Sequence, residues 1–291
     1  MNQANKARLL LALSMGIFGT LAPFVRNISV SSAELALYRA VLASLLIGGW
    51  LLLTGKKIPF LKIRRSIPLL LFSGVAMGIN WILLFEAYKY TTVSAATLSY
   101  YFAPCIVTAV CPILFREKLT AKQIVCFVMS TLGIVLITGT VSISGSDTDL
   151  IGILFGLGAA VFYATVVLLN KFIRDVDGIH RTLLQFLAAV MTLIPYVALT
   201  GGVTLGSMDG MGWICLLIVG LVHTGVTYCM YFTSLRHLPG QEAAILSYID
   251  PLTAVLISVT VLGEAMTIPQ IIGGVLILGF TLWNEIPAKK K

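Results

Sequence analysis

Charge is what this sequence has least of. Asp, Glu, Lys and Arg make up only 11% of its 291 residues, against roughly a quarter of an ordinary soluble domain. So few charges cannot cover a water-facing surface, which excludes a soluble globular fold. Acids are scarcer than bases: 12 Asp and Glu against 20 Lys and Arg give a net charge of +8. Metal and redox signatures are missing too. Cys105, Cys111, Cys126, Cys215 and Cys229 lie in apolar runs without a CxxC pair or metal-ligand spacing, so they read as small packing residues. There is no HExxH run, no serine-nucleophile motif, and only three histidines. No catalytic residue, cofactor or metal is expected. The first apolar run starts at Leu9 and passes Val25 without an A-x-A cleavage site, as in a retained span rather than a removed signal.

What the sequence does have is apolar length. It is 58% hydrophobic with a mean hydropathy of +0.97. A spanning helix needs about 20 largely apolar residues. Ten runs meet that need, roughly 9–27, 34–54, 67–88, 92–115, 121–141, 150–172, 181–200, 211–233, 240–262 and 268–285. The expected fold class is all-α and integral to the membrane. Seventeen of the 20 Lys and Arg fall on one side of this arrangement, in the N-terminal segment, alternate connections and the C-terminal tail. Arg26, Lys89, Asp147, Asp149, Asp209 and Glu264 fall on the other. The positive-inside rule then puts both termini in the cytoplasm, and it accounts for the positive charge without nucleic acid.

The chain also repeats itself. Shifted by 147 positions, "FEAYKYTTVSAATLSYYFAPCIVTAVCPILFREKLTAKQI" (85–124) aligns without a gap on "FTSLRHLPGQEAAILSYIDPLTAVLISVTVLGEAMTIPQI" (232–271). Pro104 falls on Pro251, Tyr101 on Tyr248, Glu117 on Glu264 and Gln123 on Gln270. Composition alone does not put Pro, Glu and Gln in register. Each half holds five spans, an odd number, so the halves should cross the membrane in opposite senses, as inverted repeats do in secondary transporters. The paired stretches "ATLSYYFAPCIVTAVCPILFREKLT" and "AAILSYIDPLTAVLISVTVLGEAMT", with "IFGT" in span one and Arg39 in "LYRAVLASLL", resemble the EamA-type members of the drug/metabolite transporter superfamily. That resemblance covers nearly the whole chain. It implies two five-helix repeats, 1–141 and 150–291, with the first four helices of each around a central cavity. It carries fold better than substrate.

The candidate site residues are few because intramembrane polar groups are few. Asp250 precedes Pro251 in the middle of an apolar run, ~15 Å along span nine, and Pro104 lies at a matching depth in span four. A proline in a helix removes a hydrogen bond and frees a carbonyl, tolerable at that depth only inside protein or a wet cavity. The pair reads either as a functional break or as a packing kink. Ala103 is the repeat mate of Asp250, so the acid breaks the symmetry. An intramembrane ionisable residue marks function by default, although a carboxylate satisfied by a Tyr or Ser hydroxyl is the alternative. His223 should lie at the same depth and reads as a proton-sharing neighbour of Asp250 or as a histidine satisfied by its own helix. On a helical wheel, Ala243, Ser247, Asp250, Ala254 and Ser258 share one face, opposite Ile245, Ile249, Leu252, Leu256 and Val259. Trp81, Asn80, Tyr101, Tyr163, Thr227 and Tyr248 are the candidate substrate-lining side chains, with Gly74, Gly78, Gly152 and Gly156 bringing backbones together. Arg39, two turns from the outer surface, is expected to pair with Glu86 and close that side; carboxylate binding is its alternative role.

The function expected is secondary active transport of an amino acid, amine or drug-like solute across the cytoplasmic membrane, as an exporter, with protons as the coupling ion. A facilitative carrier or importer is the alternative. An intramembrane enzyme would need more midplane chemistry than this chain offers, and a channel or scaffold would not need matched prolines. The expected partners are the substrate, protons and lipid, with no nucleic acid. The chain reads as a monomer, a dimer being the alternative.

Overall fold

The computed structural model describes residues 3–115, 120–144, 147–173, 176–235, 237–238 and 246–285, all helical or in short connections. Helix starts follow from local chemistry. Ser31 and Glu34 form a capping box ahead of α3 (Ser32–Leu53). Thr92 caps α6 (Val93–Tyr100), and Asp209 caps α11 (Gly210–Leu217), each accepting a backbone N–H. Among the described residues, seven helical stretches are long and apolar enough to cross a membrane; Ala121–Ile137, Ile249–Thr260 and Ile268–Asn284 are apolar but shorter. Large apolar side chains such as Leu53, Leu199 and Val275 point outward, which is stable only against lipid. The molecule is a multi-pass membrane protein.

Several helices are interrupted, so the uniform spans read from hydropathy need correcting. The first divides into α1 (Gln3–Gly19) and α2 (Leu21–Arg26), with a turn at Thr20. The fourth divides into α6 and α7 (Ala103–Phe115) at Tyr101 and Phe102. The eighth runs as α11, then a π-helical stretch over Ile218–Val226, then α12 (Thr227–Leu235). The ninth turns at Tyr248 and continues as α13 (Ile249–Thr260), its expected first residues lying outside the described ones. The remaining helices are α4 (Phe60–Ile63), α5 (Ile67–Tyr90), α8 (Ala121–Ser144), α9 (Asp147–Phe172), α10 (Gly178–Thr200) and α14 (Ile268–Glu285).

Packing is reciprocal between the halves. α5 lies on α9 as α12 lies on α1; α5 lies on α10 as the π-stretch lies on α3; α9 lies on α6 and α7 as α1 lies on α13. Helices α8 and α14 pair with each other, where Gly133 and Gly273 meet backbone to backbone. Side-chain bonds give directions. Ser94 on Ser258 and Tyr101 on Asp250 make α6 and α13 antiparallel. Gly19 against Asp250 and Thr253, with Arg26 on Glu264, makes the first helix run parallel to α13. Gly152 against Thr91 and Gly156 against Ala96 and Ser99 make α9 run parallel to α6. Small residues at these crossings let backbones close where lipid supplies no hydrophobic drive.

Candidate functional site

The helix interruptions fall at one level and bring the intramembrane polar groups together. Tyr101, at the α6–α7 break, donates its hydroxyl to Asp250 Oδ2 on α13. Gly19, at the end of α1, lies against the Asp250 carbonyl; a Cβ there would stand 2.6 Å from that oxygen. The next residue, Thr20, donates to Ile17 O at 2.8 Å, and its Oγ1 lies 3.1 Å from His223 Nε2. The π-stretch is held by its own side chains: Thr224 donates to Val219 O and Thr227 to Val222 O, both five residues back. His223 Nδ1 lies 3.4 Å from Ile218 O at the same spacing. π-helical segments within α-helices are frequent at functional sites. Here such a segment turns His223 and Thr224 inward, both buried.

Around Asp250 stands a wall of tyrosines. Tyr100 packs on Tyr101 and on Tyr163, with ring centroids 5.7 and 5.3 Å apart. Tyr228 packs on Phe18 and Phe186 at 5.1 and 5.3 Å. Asp250, Tyr100, Tyr101, Tyr228 and Tyr231 are half-buried, and Tyr163 is exposed. Grouped around Asp250 and not fully covered, they line the chamber between the helices. Above it, on the Arg26 side, a polar network ties the elements together beside a cavity of about 330 Å³ lined by Arg26, Ser32, Phe85, Tyr88 and Lys89. Arg26 pairs with Glu264 at 2.5 Å; Glu264 also accepts from Val93 N at 2.8 Å and from the Ser258 hydroxyl. Ser94 donates to Ser258 at 2.7 Å, and both serines are buried.

Arg39 sits under that network, 3% exposed. Its Nε donates to Thr224 Oγ1 at 3.0 Å, and its guanidinium lies 4.6 Å from the Trp81 ring centroid and 5.2 Å from that of Phe85. The expected Arg39–Glu86 pair does not form. Glu86 pairs instead with Lys89, one turn away and more exposed, at 3.0 Å. Arg39 is drawn inward because the two ring faces and Thr224 hold its cation, whereas Glu86 stays in the polar rim. Arg26–Glu264 is the ion pair that ties the first helix to the segment after α13. Both residues stood on the base-poor side of the sequence, and that shared side was the available signal.

The other expected site residues divide. Tyr101, Tyr163 and Asp250 share the chamber. Trp81 is buried and packs on Phe186 at 5.4 Å, at its edge. Asn80 serves packing, donating to Ala159 O at 2.7 Å and tying α5 to α9. Thr227 turns its hydroxyl onto its own helix, and Tyr248 is buried. His223 makes its contacts with Thr20 and Ile218, not with Asp250. Pro104 and Pro251 each fall just past a break, in the first turn of α7 and of α13. The two faces of α13 hold in part: Ala254 and Ser258 are buried, and Leu252, Leu256 and Val259 exposed, but Ser247 and Asp250 are half-buried and Ile249, expected outside, packs half-buried against the cluster of Ala7, Leu11, Met15 and Leu238; Ala243 and Ile245 lie outside the described residues. Sequence reading missed Thr20, Tyr100 and Tyr228. Among the described residues no group of three His, Cys, Asp or Glu side chains is placed to hold a metal.

The comparisons with known proteins agree with this architecture. The family model described as "EamA-like transporter family" matches residues 5–139 and again 150–284. The chain belongs to the EamA-like transporter family. A Bacillus subtilis (strain 168) relative, "Uncharacterized transporter YxxF", is 30% identical over 277 residues, covering 94% of this chain and 88% of its own. An Archaeoglobus fulgidus transporter is 27% identical over 94% of this chain and 95% of its own, and the Salmonella typhimurium "Uncharacterized inner membrane transporter YicL" 24% over 97% and 95%. A crystal structure superposes with a TM-score of 0.64 at 15% identity over 96% of both chains, a likeness of fold alone. This EamA family member is a membrane transporter.

Proposed function

We propose that this protein is a secondary active exporter in the cytoplasmic membrane. It moves a small organic metabolite (an amino acid, an amine or a drug-like solute) by alternating access and exchanges it for protons at Asp250. In this reading residues 1–141 and 150–291 form two inverted repeats of five spans each, both termini cytoplasmic. Support comes from the reciprocal packing of the halves, the antiparallel α6–α13 pair and the distribution of Lys and Arg.

The observation that carries the proposal is Asp250, half-buried and held by Tyr101 where several helices are interrupted, with the Arg26–Glu264 network above it. A carboxylate there faces Tyr100, Tyr101, Tyr163 and Tyr228, with no cation in contact among the described residues. Proton exchange between two sides of a membrane needs one such group, alternately exposed. The test is flux in proteoliposomes. Saturable uptake driven by a pH gradient is expected for the native chain. Asp250→Asn should lose the gradient dependence and keep substrate exchange at equal pH, since the amide fits the site but cannot change charge. Gradient-driven uptake by Asp250→Asn at the native rate would leave a facilitative carrier as the better reading.

A further inference from the structure

Arg39 is a buried cation whose partner is missing. A guanidinium carries five N–H donors in a planar fork, and natural proteins bury one only with its charge paired. Here Nε has Thr224 Oγ1, and the ring faces of Trp81 and Phe85 take part of the charge. Among the described residues, neither Nη nitrogen has a hydrogen-bond acceptor, no carboxylate lies within ion-pair distance of Arg39, and neither Nη is sealed in protein. The residue is nonetheless 3% exposed. The fork is therefore held in place by Thr224 and two aromatic rings, with its bidentate edge unused.

Its surroundings give the shape of what would use it. Trp81 leads from Arg39 to Phe186, and Phe186 to Tyr228, edge to face at 5.4 and 5.3 Å. Tyr88, Tyr100 and Tyr228 lie within electrostatic reach of both Arg39 and Asp250. An aromatic wall thus separates a fixed cation from a carboxylate that has only a hydroxyl partner.

We infer that the transported solute bears a carboxylate that docks bidentately on Arg39, its apolar body lying along the half-buried Tyr228 and Tyr100, which the buried Trp81 and Phe186 back. The inference rests on the transport reading for its purpose, but the docking can be tested without flux. Guanidinium and carboxylate match in plane and in spacing, which a point-charge ammonium does not. The solute supplies the counter-charge the fold withholds, so the empty site is costly and the loaded site is not. An amino group on the same solute would extend toward Asp250, where it would compete with the proton.

Purified protein in detergent is the system, with benzoate, acetate, benzyl alcohol, benzylamine and inorganic phosphate as probes, read by thermal unfolding and by quenching of tryptophan fluorescence. Benzoate should stabilise the native chain and quench saturably, acetate more weakly, and the alcohol and amine not at all. Arg39→Gln should weaken benzoate binding by more than roughly tenfold. Arg39→Lys should recover part of it, having the charge without the fork. Thr224→Val, which releases Nε but keeps the guanidinium, should weaken binding less than Arg39→Gln and guards against a folding defect in that variant. Benzoate binding of equal strength in Arg39→Gln overturns the inference, as does protection by benzylamine, by phosphate alone, or by none of the probes. Counterflow of labelled benzoate separates the two readings: Arg39-dependent benzoate binding without benzoate counterflow in proteoliposomes defeats the transport proposal and leaves the anion site standing.

Discussion

The two halves of this molecule share their packing and not their chemistry. Shifted by 147 residues, Asp250 becomes Ala103, His223 becomes Ala76, Tyr228 becomes Trp81 and Phe186 becomes Arg39. The helix contacts still exchange pairwise between halves. The π-stretch that carries His223 corresponds to the unbroken middle of α5. The small residues that seat helices are kept, and the groups that charge the chamber are not. A scaffold built twice can rock between two related states, whereas a coupling group is needed once. Each prediction below tries to erase that division of labour or to sharpen it.

The largest effect should come from moving the acid. Ala103 is 1% exposed and packs with Ala160 and Ala164, while Asp250 is half-buried beside a Gly19 that leaves it room. Ala103→Asp would bury a carboxylate among alanines, at a cost of several kcal/mol after relaxation. Loss of monodisperse protein in size-exclusion chromatography is expected. A stable Ala103→Asp/Asp250→Ala double variant with gradient-driven uptake would show that the halves are chemically interchangeable after all.

Next come the crossings that hold the halves in register. A Cβ on Gly19 would meet Thr253 Cβ at 2.5 Å and the Asp250 carbonyl at 2.6 Å; one on Gly152 would meet Thr91 side-chain atoms at 2.6 and 2.7 Å. Gly158 is looser, with the Leu83 side-chain tip at 3.3 Å. Gly19→Ala and Gly152→Ala should each cost about 1–3 kcal/mol, and Gly158→Ala much less. Thermal unfolding in one detergent ranks them. Equal tolerance at all positions would mean that the close crossings can spread freely.

How much of this was legible follows from which forces leave marks in sequence. Apolar length marks spans, so most helix ends lie within a few residues of expectation: α3, expected at 34–54, runs Ser32–Leu53, and α14 runs as expected. The prolines marked two interruptions because a missing N–H is local. The break at Thr20 carries a similar mark that went unread: Pro23 stands three residues past it, as Pro251 stands three past Tyr248. The π-stretch carries none; it depends on side chains taking carbonyls five residues back. Asp250 stood out because acid is rare in an apolar run. Its partner Tyr101 was named as a substrate contact, since sequence gives a tyrosine's depth but not the neighbour its hydroxyl reaches. Arg39 was found for the same reason as Asp250 and given the wrong partner, because depth alone does not say which way a long side chain turns.

Loosening the Arg26 side should have a moderate effect. Glu264 holds Arg26, Val93 N and Ser258 at once, and its repeat mate Glu117 lies outside the described residues. Glu264→Gln keeps the shape and drops the charge. A loss of about 1–3 kcal/mol is expected from the charge-assisted bonds. A cysteine placed at Ser94, buried beside Ser258, should then react faster with a water-soluble maleimide. Unchanged labelling would mean that apolar packing, not Glu264, keeps Ser94 covered.

The smallest effect is expected where the sequence suggested a gate. Glu86 and Lys89 form an exposed pair one turn apart on α5, with side chains 25% and 49% exposed. Such pairs contribute at most about 0.5 kcal/mol, since water screens them and two flexible side chains must be held still. Glu86→Gln should therefore leave thermal stability, labelling of the Ser94→Cys variant and uptake near native values. The contrast with Glu264→Gln is the sharper test, because both substitutions remove one acid from an ion pair on the same side of the membrane. They differ in burial and in partners: Glu264 is 9% exposed and accepts from a backbone N–H and a hydroxyl as well as Arg26. If Glu86→Gln accelerates labelling as much as Glu264→Gln does, the cover over Ser94 depends on the net charge of the rim, and the network around Glu264 has no special part in it. If only Glu264→Gln does so, that cover rests on one carboxylate joining α2, α6 and the end of α13.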